Sequence, residues 1–252
     1  MTTTILTQDS VEFILTADVD WASEYCIDQF LDLCAEFGIC PTIFVTHQSD
    51  RLKRAFENGE AEAGIHPNFC EGSSHGTAIS EVISSVMGMV PSARICRSHR
   101  FRDGSDIEMA LVDAGIEADS NEVRYLAPNL VAYDIWTGLV RFPVFFEDDV
   151  HWQKGGSWDF TDYEEQFFEP GLKVLNFHPF IFALNLADDA GYLEHRKHIG
   201  TLTEAAAKSL SNTGAGAASF LRQILAAAKS RGAQFTTVGA ALDRYLESGK
   251  SC

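Results

Sequence analysis

Short apolar runs alternate along the chain with segments in which apolar residues recur every three or four positions. The first pattern predicts strands and the second helices. The predicted strands span residues 13–19, 41–46, 61–65, 93–96, 116–119, 140–146, 172–177 and 234–238. Repeated strand–helix units favour a parallel sheet, and this many strands in 252 residues favour a closed or nearly closed barrel. We therefore predict an α/β fold, a distorted (β/α) barrel of seven or eight mostly parallel strands.

The predicted helices are bounded by residues that commonly cap helices. Ser23 is a candidate N-cap and Gly38 a candidate stop for the first helix, and Ser49 begins the second. There is no low-complexity linker and no detectable repeat, so residues 1–252 are predicted to form a single domain. No G-x-G-x-x-G or P-loop sequence opens a helix, which argues against a nucleotide-binding fold.

Composition narrows the class of protein. The chain is 46% hydrophobic and 22% charged, and its net charge of −17 argues against nucleic acid as a partner. No segment approaches the ~18 apolar residues of a membrane span, and the N-terminus has no basic leader, so we expect a cytoplasmic protein. The oligomeric state is left open. Six cysteines without a C-x-x-C pair favour free thiols over disulfides: Cys26, Cys34, Cys40, Cys70, Cys96 and Cys252.

Polar residues stand at or just after the ends of many predicted strands. They are Asp18, Asp20, His66, Arg97, Asp119, Glu147 and His178. In parallel barrels the loops that follow the strands carry the active site. This shared position predicts that these side chains gather at one edge of the sheet.

Asp18 and Asp20 share a face if the strand stays extended, and two such carboxylates repel each other. A divalent cation on one and a guanidinium on the other would separate their roles. The alternative is that Asp20 caps the following helix and Asp18 is an ordinary strand residue. His66 is a candidate metal ligand, since two imidazoles and one carboxylate leave open positions on zinc.

Arg97 and His178 each admit two interpretations. Arg97 could hold a carboxylate ionised and oriented as a general base, or could simply be solvated. His178, at the end of the most apolar strand, could be a general acid or a core histidine bonded to a backbone carbonyl. His75 is either a further ligand or an exposed loop residue.

These segments resemble the polysaccharide deacetylase family, the NodB-homology or carbohydrate esterase family 4-like group, and most closely its WbmS-like branch. Thr16-Ala17-Asp18-Val19-Asp20 is similar to the family's first motif, T-F-D-D-G, with Val19 inserted between the two Asp residues. The resemblance implies that Asp18 is the catalytic base and Asp20 a metal ligand. In the second motif, H-[ST]-x-x-H, this chain keeps His66 and loses the second His, for which His75 is the natural substitute.

The later motifs supply the remaining expected roles. Arg97 begins the third motif and would orient Asp18, while His99 would be a third ligand or a substrate contact. His178 lies in the fifth motif, L-x-x-H-P, and would be the general acid. The segment 142–149 resembles the region before the fourth motif. The residues expected to contact substrate are His99, Glu147, Asp148 and Asn68.

The resemblance implies a hydrolase that uses a divalent cation, typically zinc, to remove an N-acetyl group from an amino sugar or glycan in surface-polysaccharide (O-antigen) biosynthesis. One alternative is a hydrolase of the same fold acting on a non-sugar C–N amide. Another is a barrel that binds a glycan without catalysis, which the altered second motif would favour. Trp136, Trp152 and Trp158 could stack on a sugar ring or belong to the core.

Overall fold

The structure is a computed structural model that describes residues 10–249. Two expectations fall outside these residues. One is that residues 1–9 hold no basic leader, and the other is that Cys252 is a free thiol. The five described cysteines are free thiols, as predicted. Within the described range, no helix is both long and apolar enough to cross a membrane.

Strands and helices alternate along most of the described chain. The strands are β1 (Val11–Asp18), β2 (Thr42–Val45), β3 (Glu62–Ile65), β4 (Ile95–Cys96), β5 (Ala118–Asp119), β6 (Tyr133–Asp134), β7 (Val140–Arg141), β8 (Val144–Glu147), β9 (Gly171–Phe177) and β10 (Phe235–Thr236). The helices are α1 (Glu24–Phe37), α2 (Asp50–Glu57), α3 (Ile79–Met87), α4 (Ser105–Asp113), α5 (Asp148–Gln153), α6 (Glu164–Phe168), α7 (Pro179–Ala183), α8 (Asp189–His195), α9 (Glu204–Leu210), α10 (Ala217–Ser230) and α11 (Val238–Gly249).

The strands form one curled sheet in the order β6-β7-β5-β4-β3-β2-β1-β9-β8, with β10 beside β1. The pairings are parallel except that of β6 with β7. The chain after β5 also reaches β8, because the N–H groups of Arg124 and Leu126 donate to the carbonyl oxygens of Val144 and Phe145, each at 2.8 Å. This contact brings the two ends of the sheet together and gives the distorted, mostly parallel barrel predicted from the sequence.

The predicted strand 140–146 is wrong in one respect: it is two strands. β7 pairs with β5, whereas β8 pairs with β9 at the other end of the sheet. Pro143 stands between them and has no N–H to continue a ladder. The short strand β6 was not predicted, because its two residues give no periodicity to detect.

Two caps of the first helices differ in their chemistry. The Ser49 hydroxyl accepts from the Leu52 N–H at 3.1 Å, as expected for an N-cap. Ser23 occupies the N-cap position of α1, but its hydroxyl donates instead to the carbonyl oxygen of Leu202 at 2.7 Å. Gly38 ends α1 with φ of 69°, a left-handed conformation that glycine adopts without strain.

The two longest strands, β1 and β9, are buried on both faces. Phe13, Ile14, Leu15 and Ala17 of β1 are fully buried, as expected for a parallel strand covered by helices. Polar side chains interrupt this apolar layer near the carboxyl end of β1 and at Asn176 of β9. The candidate site lies at that edge.

Candidate active site

The chain bends sharply after β1, and this bend separates the two aspartates. β1 ends at Asp18, and Asp20 and Trp21 both adopt left-handed conformations, with φ of 45° and 58°. Such values are uncommon for residues other than glycine and are typical of strained functional segments. Asp18 therefore stays in the sheet interior beside Arg97, while Asp20 reaches a different set of partners.

Asp20, His66 and His99 form a cluster at this edge of the sheet. Oδ1 of Asp20 lies 3.2 Å from Nε2 of His66 and 2.9 Å from Nδ1 of His99. Two ligands bound to one tetrahedral zinc ion at about 2.0–2.2 Å lie roughly 3–3.5 Å apart. The spacing and the donor set of two imidazoles and one carboxylate therefore fit a zinc-like cation.

The electrostatics of the cluster favour an ionised carboxylate. Burial alone would raise the pKa of Asp20, but hydrogen bonds from His66 and His99 lower it well below its ordinary value. Nδ1 of His66 has no hydrogen-bond partner and lies 3.8 Å from Oδ1 of Asp18. A deprotonated carboxylate is the form that binds a metal ion.

His75 does not belong to this cluster, which corrects the expectation that it is a ligand. The N–H of Asn68 donates to its Nδ1 at 3.1 Å, and its Nε2–H donates to the carbonyl oxygen of Thr46 at 2.7 Å. Both ring nitrogens are thus used to fix the loop after β3. His99 stands in the cluster instead, from the short turn that follows β4.

Arg97 is fully buried and holds Asp18. Its Nη1 donates to Oδ1 of Asp18 at 2.9 Å, to Oγ1 of Thr16 at 2.9 Å and to Oδ1 of Asn176 at 2.7 Å. Burial tends to raise the pKa of Asp18, but Arg97, with His66 and His178, lowers it below the usual range. Asp18 is therefore held ionised and oriented.

The rest of the Arg97 side chain is equally constrained. Nη2 donates to the hydroxyl of Ser120 at 2.9 Å and Nε to the carbonyl oxygen of Ser120 at 3.2 Å. Its guanidinium carbon lies 4.3 Å from the centre of the Phe44 ring. Sequence reasoning missed Ser120 and Asn176. The polar Asn176 within the mainly apolar β9 was the available signal for one of them, and Ser120 gave none.

His178 follows β9 and is bound by Asp148. Its Nδ1–H donates to Oδ1 of Asp148 at 2.6 Å, and its backbone N–H donates to Oδ2 at 2.8 Å. Burial would lower the pKa of His178, but Asp148, with Asp149 and Asp20, raises it well above its ordinary value. Asp148 is fully buried and both of its oxygens are occupied, so it positions His178 and is not free to contact substrate as we expected.

Glu147 lies beside His178, and its second oxygen is unpaired. Oε1 accepts from Nδ2 of Asn176 at 3.3 Å and is 3.9 Å from Nε2 of His178, whereas Oε2 is buried without a partner. Burial, together with the Asp149 and Asp18 carboxylates, raises the pKa of Glu147 well above its ordinary value. Sequence reasoning missed Asp149, whose pKa is also raised by burial.

The remaining candidates have other surroundings. Oδ1 of Asn68 accepts from the Cys70 N–H at 2.9 Å and shapes the loop, so substrate contact by Asn68 stays a prediction. Asp119 is buried in an ion pair with Arg141, with contacts of 2.8 and 2.6 Å. The cluster of Asp20, His66 and His99 does not include it.

The three tryptophans lie in three different surroundings. Trp158 is buried and donates from Nε1 to the carbonyl oxygen of Ala187 at 2.8 Å, which is a core role. Trp136 is 77% exposed in the turn before β7, at the sheet edge opposite the site, because β7 runs parallel to β5. Trp152 lies on α5, and its ring contacts the ring of Tyr192 with centroids 6.1 Å apart.

Comparisons with known proteins identify the family of this chain. The family described as WbmS-like polysaccharide deacetylase matches residues 15–196. A structure from Bordetella bronchiseptica, assigned as a polysaccharide deacetylase involved in O-antigen biosynthesis, is 27% identical with a TM-score of 0.78, over 85% of this chain and 89% of that one. A comparison with curated proteins found no significant match.

More distant structures share the fold. One from Mycobacterium smegmatis, assigned as a polysaccharide deacetylase, is 15% identical with a TM-score of 0.52, over 93% of this chain and 96% of that one. At that identity the likeness concerns the fold alone. The family match, in contrast, spans well over half of the chain and includes all of the residues gathered at the site. The chain therefore belongs to the WbmS-like polysaccharide deacetylase family.

Proposed function

We propose that this protein is a metal-dependent hydrolase that removes the N-acetyl group from an amino sugar. The observation that carries the proposal is the meeting of three groups at one sheet edge: the cluster of Asp20, His66 and His99, the Arg97-bound Asp18, and the Asp148-bound His178. Hydrolysis of an amide needs an electrophile, a base and an acid, and these groups can supply all three.

Asp20, His66 and His99 would hold the divalent cation, most simply Zn²⁺. When bound, such an ion polarises the amide carbonyl and makes water more acidic. The three ligands come from the chain after β1, β3 and β4, which are tied together by the parallel pairings of β1 with β2, β2 with β3 and β3 with β4.

Asp18 is the proposed general base. Its carboxylate is kept ionised by Arg97 and fixed on its other oxygen by Nδ2 of Asn176 at 3.0 Å. It accepts a proton as water oxygen bonds to the acetamide carbon. Because Arg97 is itself saturated by hydrogen bonds, Asp18 cannot rotate away without leaving a buried charge unpaired.

His178 is the proposed general acid. Asp148 fixes its Nδ1, so that Nε2 is the nitrogen free to donate a proton to the amine as the C–N bond breaks. The same carboxylate favours the protonated imidazole, since it raises the pKa of His178. Acetate and the free amino sugar are the products.

The Bordetella relative supports a role in surface-polysaccharide biosynthesis, because that protein is assigned to O-antigen biosynthesis. We propose an N-acetylated amino sugar or a glycan that contains one as the substrate. A related hydrolase of a non-sugar amide would use the same base and acid, so the substrate has to be tested directly.

The test is acetate release from a panel of N-acetyl sugars and small acetamides, combined with metal analysis. We expect release from at least one sugar, about one metal ion per chain, and loss of that metal in His66→Ala and His99→Ala. His75→Ala is the matched control and should retain the metal, because both of its ring nitrogens bind the protein.

Other outcomes would change the assignment. Release only from small acetamides would indicate the non-sugar hydrolase. Glycan binding without metal and without turnover would indicate a binding barrel. Loss of metal in His75→Ala, with retention in His99→Ala, would restore the ligand set expected from the sequence.

A further inference from the structure

Unpaired buried polar atoms concentrate at the candidate site. Six buried side-chain nitrogen or oxygen atoms of the described residues have no hydrogen-bond partner: His66 Nδ1, Thr137 Oγ1, Glu147 Oε2, Asp149 Oδ1, Trp152 Nε1 and Lys173 Nζ. Such atoms are rare in folded proteins, because each costs about 1–3 kcal/mol when left unpaired. Three of them lie within the six residues from Glu147 to Trp152, which suggests that a ligand satisfies them.

Two of the residues that carry these atoms, Glu147 and Asp149, lie beside the proposed general acid, and the third lies on the same helix as Asp149. Glu147 and His178 offer polar atoms within 4.8 Å of each other, and so do Asp149 and His178. Trp152 follows Asp149 by three residues on α5, which places both on one helix face. The Trp152 ring contacts the Tyr192 ring, with centroids 6.1 Å apart. Burial and the nearby Asp20 raise the pKa of Tyr192, whereas His178 lowers it, so Tyr192 lies next to the site.

We propose that Glu147, Asp149 and Trp152 form a sugar-recognition subsite that binds a free hydroxyl group on the ring carbon next to the acetamido carbon. This inference rests on the proposed function. It makes the three residues specificity determinants and excludes substrates in which that hydroxyl is absent or substituted.

The chemistry of the three groups matches a hydroxyl. Trp152 Nε1–H is a donor and Asp149 Oδ1 an acceptor, and a hydroxyl group can serve both at once. Glu147, Asp148 and Asp149 are consecutive in the sequence, so this wall carries several oxygen atoms that can accept from a hydroxyl. Asp148 itself cannot take part, since both of its oxygens bind His178.

The position follows from the role of His178. Its Nε2 must reach the leaving nitrogen, and the groups nearest to that nitrogen on a pyranose ring are the substituents of the two neighbouring carbons. Polar atoms within reach of His178 therefore face those substituents. A site built to hydrogen-bond a hydroxyl discriminates strongly against analogues that lack it, because its own polar groups are then left unpaired.

The test compares an N-acetyl sugar hydrolysed by the wild type with its deoxy analogue lacking the neighbouring hydroxyl. For the intact sugar we expect Trp152→Phe and Asp149→Asn each to raise KM about tenfold, with kcat changed less than about threefold. For the deoxy analogue, whose KM should already be raised in the wild type, the variants should cause no further increase.

Lys173→Met is the matched control, because Lys173 Nζ is also buried and unpaired but Lys173 lies near the start of β9, whereas His178 follows its end. It should leave both KM values unchanged. Glu147→Gln, which keeps the shape of the side chain, replaces either variant that fails to fold, and the same KM pattern is expected. Equal effects of the variants on intact and deoxy sugars, or no effect on either, would overturn the subsite.

Failure of the proposed function would look different. If the wild type hydrolysed no N-acetyl sugar, titration calorimetry with the same two sugars would still test the subsite. About tenfold tighter binding of the intact sugar, abolished in Trp152→Phe, would support it. Equal affinities for the two sugars would refute it.

Discussion

At the scale of single residues, the candidate site consists of buried charges that hold one another in place. Arg97 is enclosed by hydrogen bonds to Asp18, Thr16, Asn176 and Ser120. Removing one member of a buried pair costs about 3–5 kcal/mol, since it leaves the other charge uncompensated. The proposed catalytic role of Asp18 and its structural role are therefore coupled, and measurements have to separate them.

Asp18→Asn should abolish most turnover while leaving the metal bound. Loss of a general base lowers the rate by about 10²–10⁴-fold, and Asp18 is not among the clustered ligands Asp20, His66 and His99. Acetate release and metal content measured on the same sample check this, with circular dichroism to confirm folding. Loss of the metal in this variant would make Asp18 a ligand and overturn the assignment of roles.

Lys173 should make stability depend on pH. Burial lowers its pKa to about 8 from the ordinary 10.5, and its ammonium lies 4.0 Å from the centre of the Phe145 ring. Between these pH values the unfolded chain binds more protons, so the free energy of unfolding rises with pH, by up to about 3 kcal/mol. Urea unfolding of the wild type and Lys173→Met at pH 7 and pH 10.5 should show this gain in the wild type alone. A parallel pH dependence in both proteins would contradict the argument.

At the scale of elements, the pairing of β2 with β3 positions the Phe44 ring against Arg97. The register places Phe44 beside Gly64, and a Cβ on Gly64 would meet two carbons of the Phe44 ring at 2.7 and 2.8 Å. The same ring supports the guanidinium of Arg97. A glycine at this position thus allows β3, Phe44 and Arg97 to stack.

Gly64→Ala should lower both stability and activity. The added methyl group must displace the Phe44 ring, which lowers the free energy of unfolding by about 1–3 kcal/mol. Because the ring contacts Arg97, its displacement also shifts Arg97 and the Asp18 that Arg97 binds. Thermal unfolding and acetate release measure the two effects. Gly88→Ala is the control, because Gly88 ends α3 with φ of −61° and its nearest neighbour would lie 3.3 Å from the new Cβ. Equal losses of stability and activity in both variants would show that the contact between Gly64 and Phe44 is not the cause.

At the scale of the whole molecule, the site joins segments that are distant in sequence. The proposed ligands follow β1, β3 and β4, while the proposed acid follows β9 at the far end of the chain. A cation bound there stabilises only the folded arrangement, since the unfolded chain does not bring the ligands together. Residues 1–252 are predicted to unfold as one domain. Metal binding should therefore raise the temperature of a single unfolding transition.

Zinc should raise the Tm of the protein relative to a sample treated with chelator, in a single calorimetric transition. At a free zinc concentration 100 times the Kd, linkage predicts about 2.7 kcal/mol of added stability. Asp20→Ala should abolish this shift, because Asp20 contacts both histidines of the cluster. Two transitions, of which only one responds to zinc, would contradict the single-domain prediction.

The sequence by itself determined the class of fold and the residues of the candidate site. The mainly apolar strands β1 and β9 need burial on both faces, and the polar residues after the strands must share an edge in a parallel sheet. Asp18, Asp20, His66, Arg97 and His178 could be named for that reason. The free state of the described cysteines also followed from their spacing.

Only the tertiary structure decided which groups touch. His75 and His99 are equally plausible ligands along the chain, but the loop after β3 uses both nitrogens of His75, whereas the turn after β4 carries His99 to Asp20. The split of β7 from β8 and the pairing of Asp148 with His178 likewise depend on which strands become neighbours. The periodicity of the sequence indicates which side chains are buried. Which side chains they contact depends on the pairing of strands that are distant in the sequence.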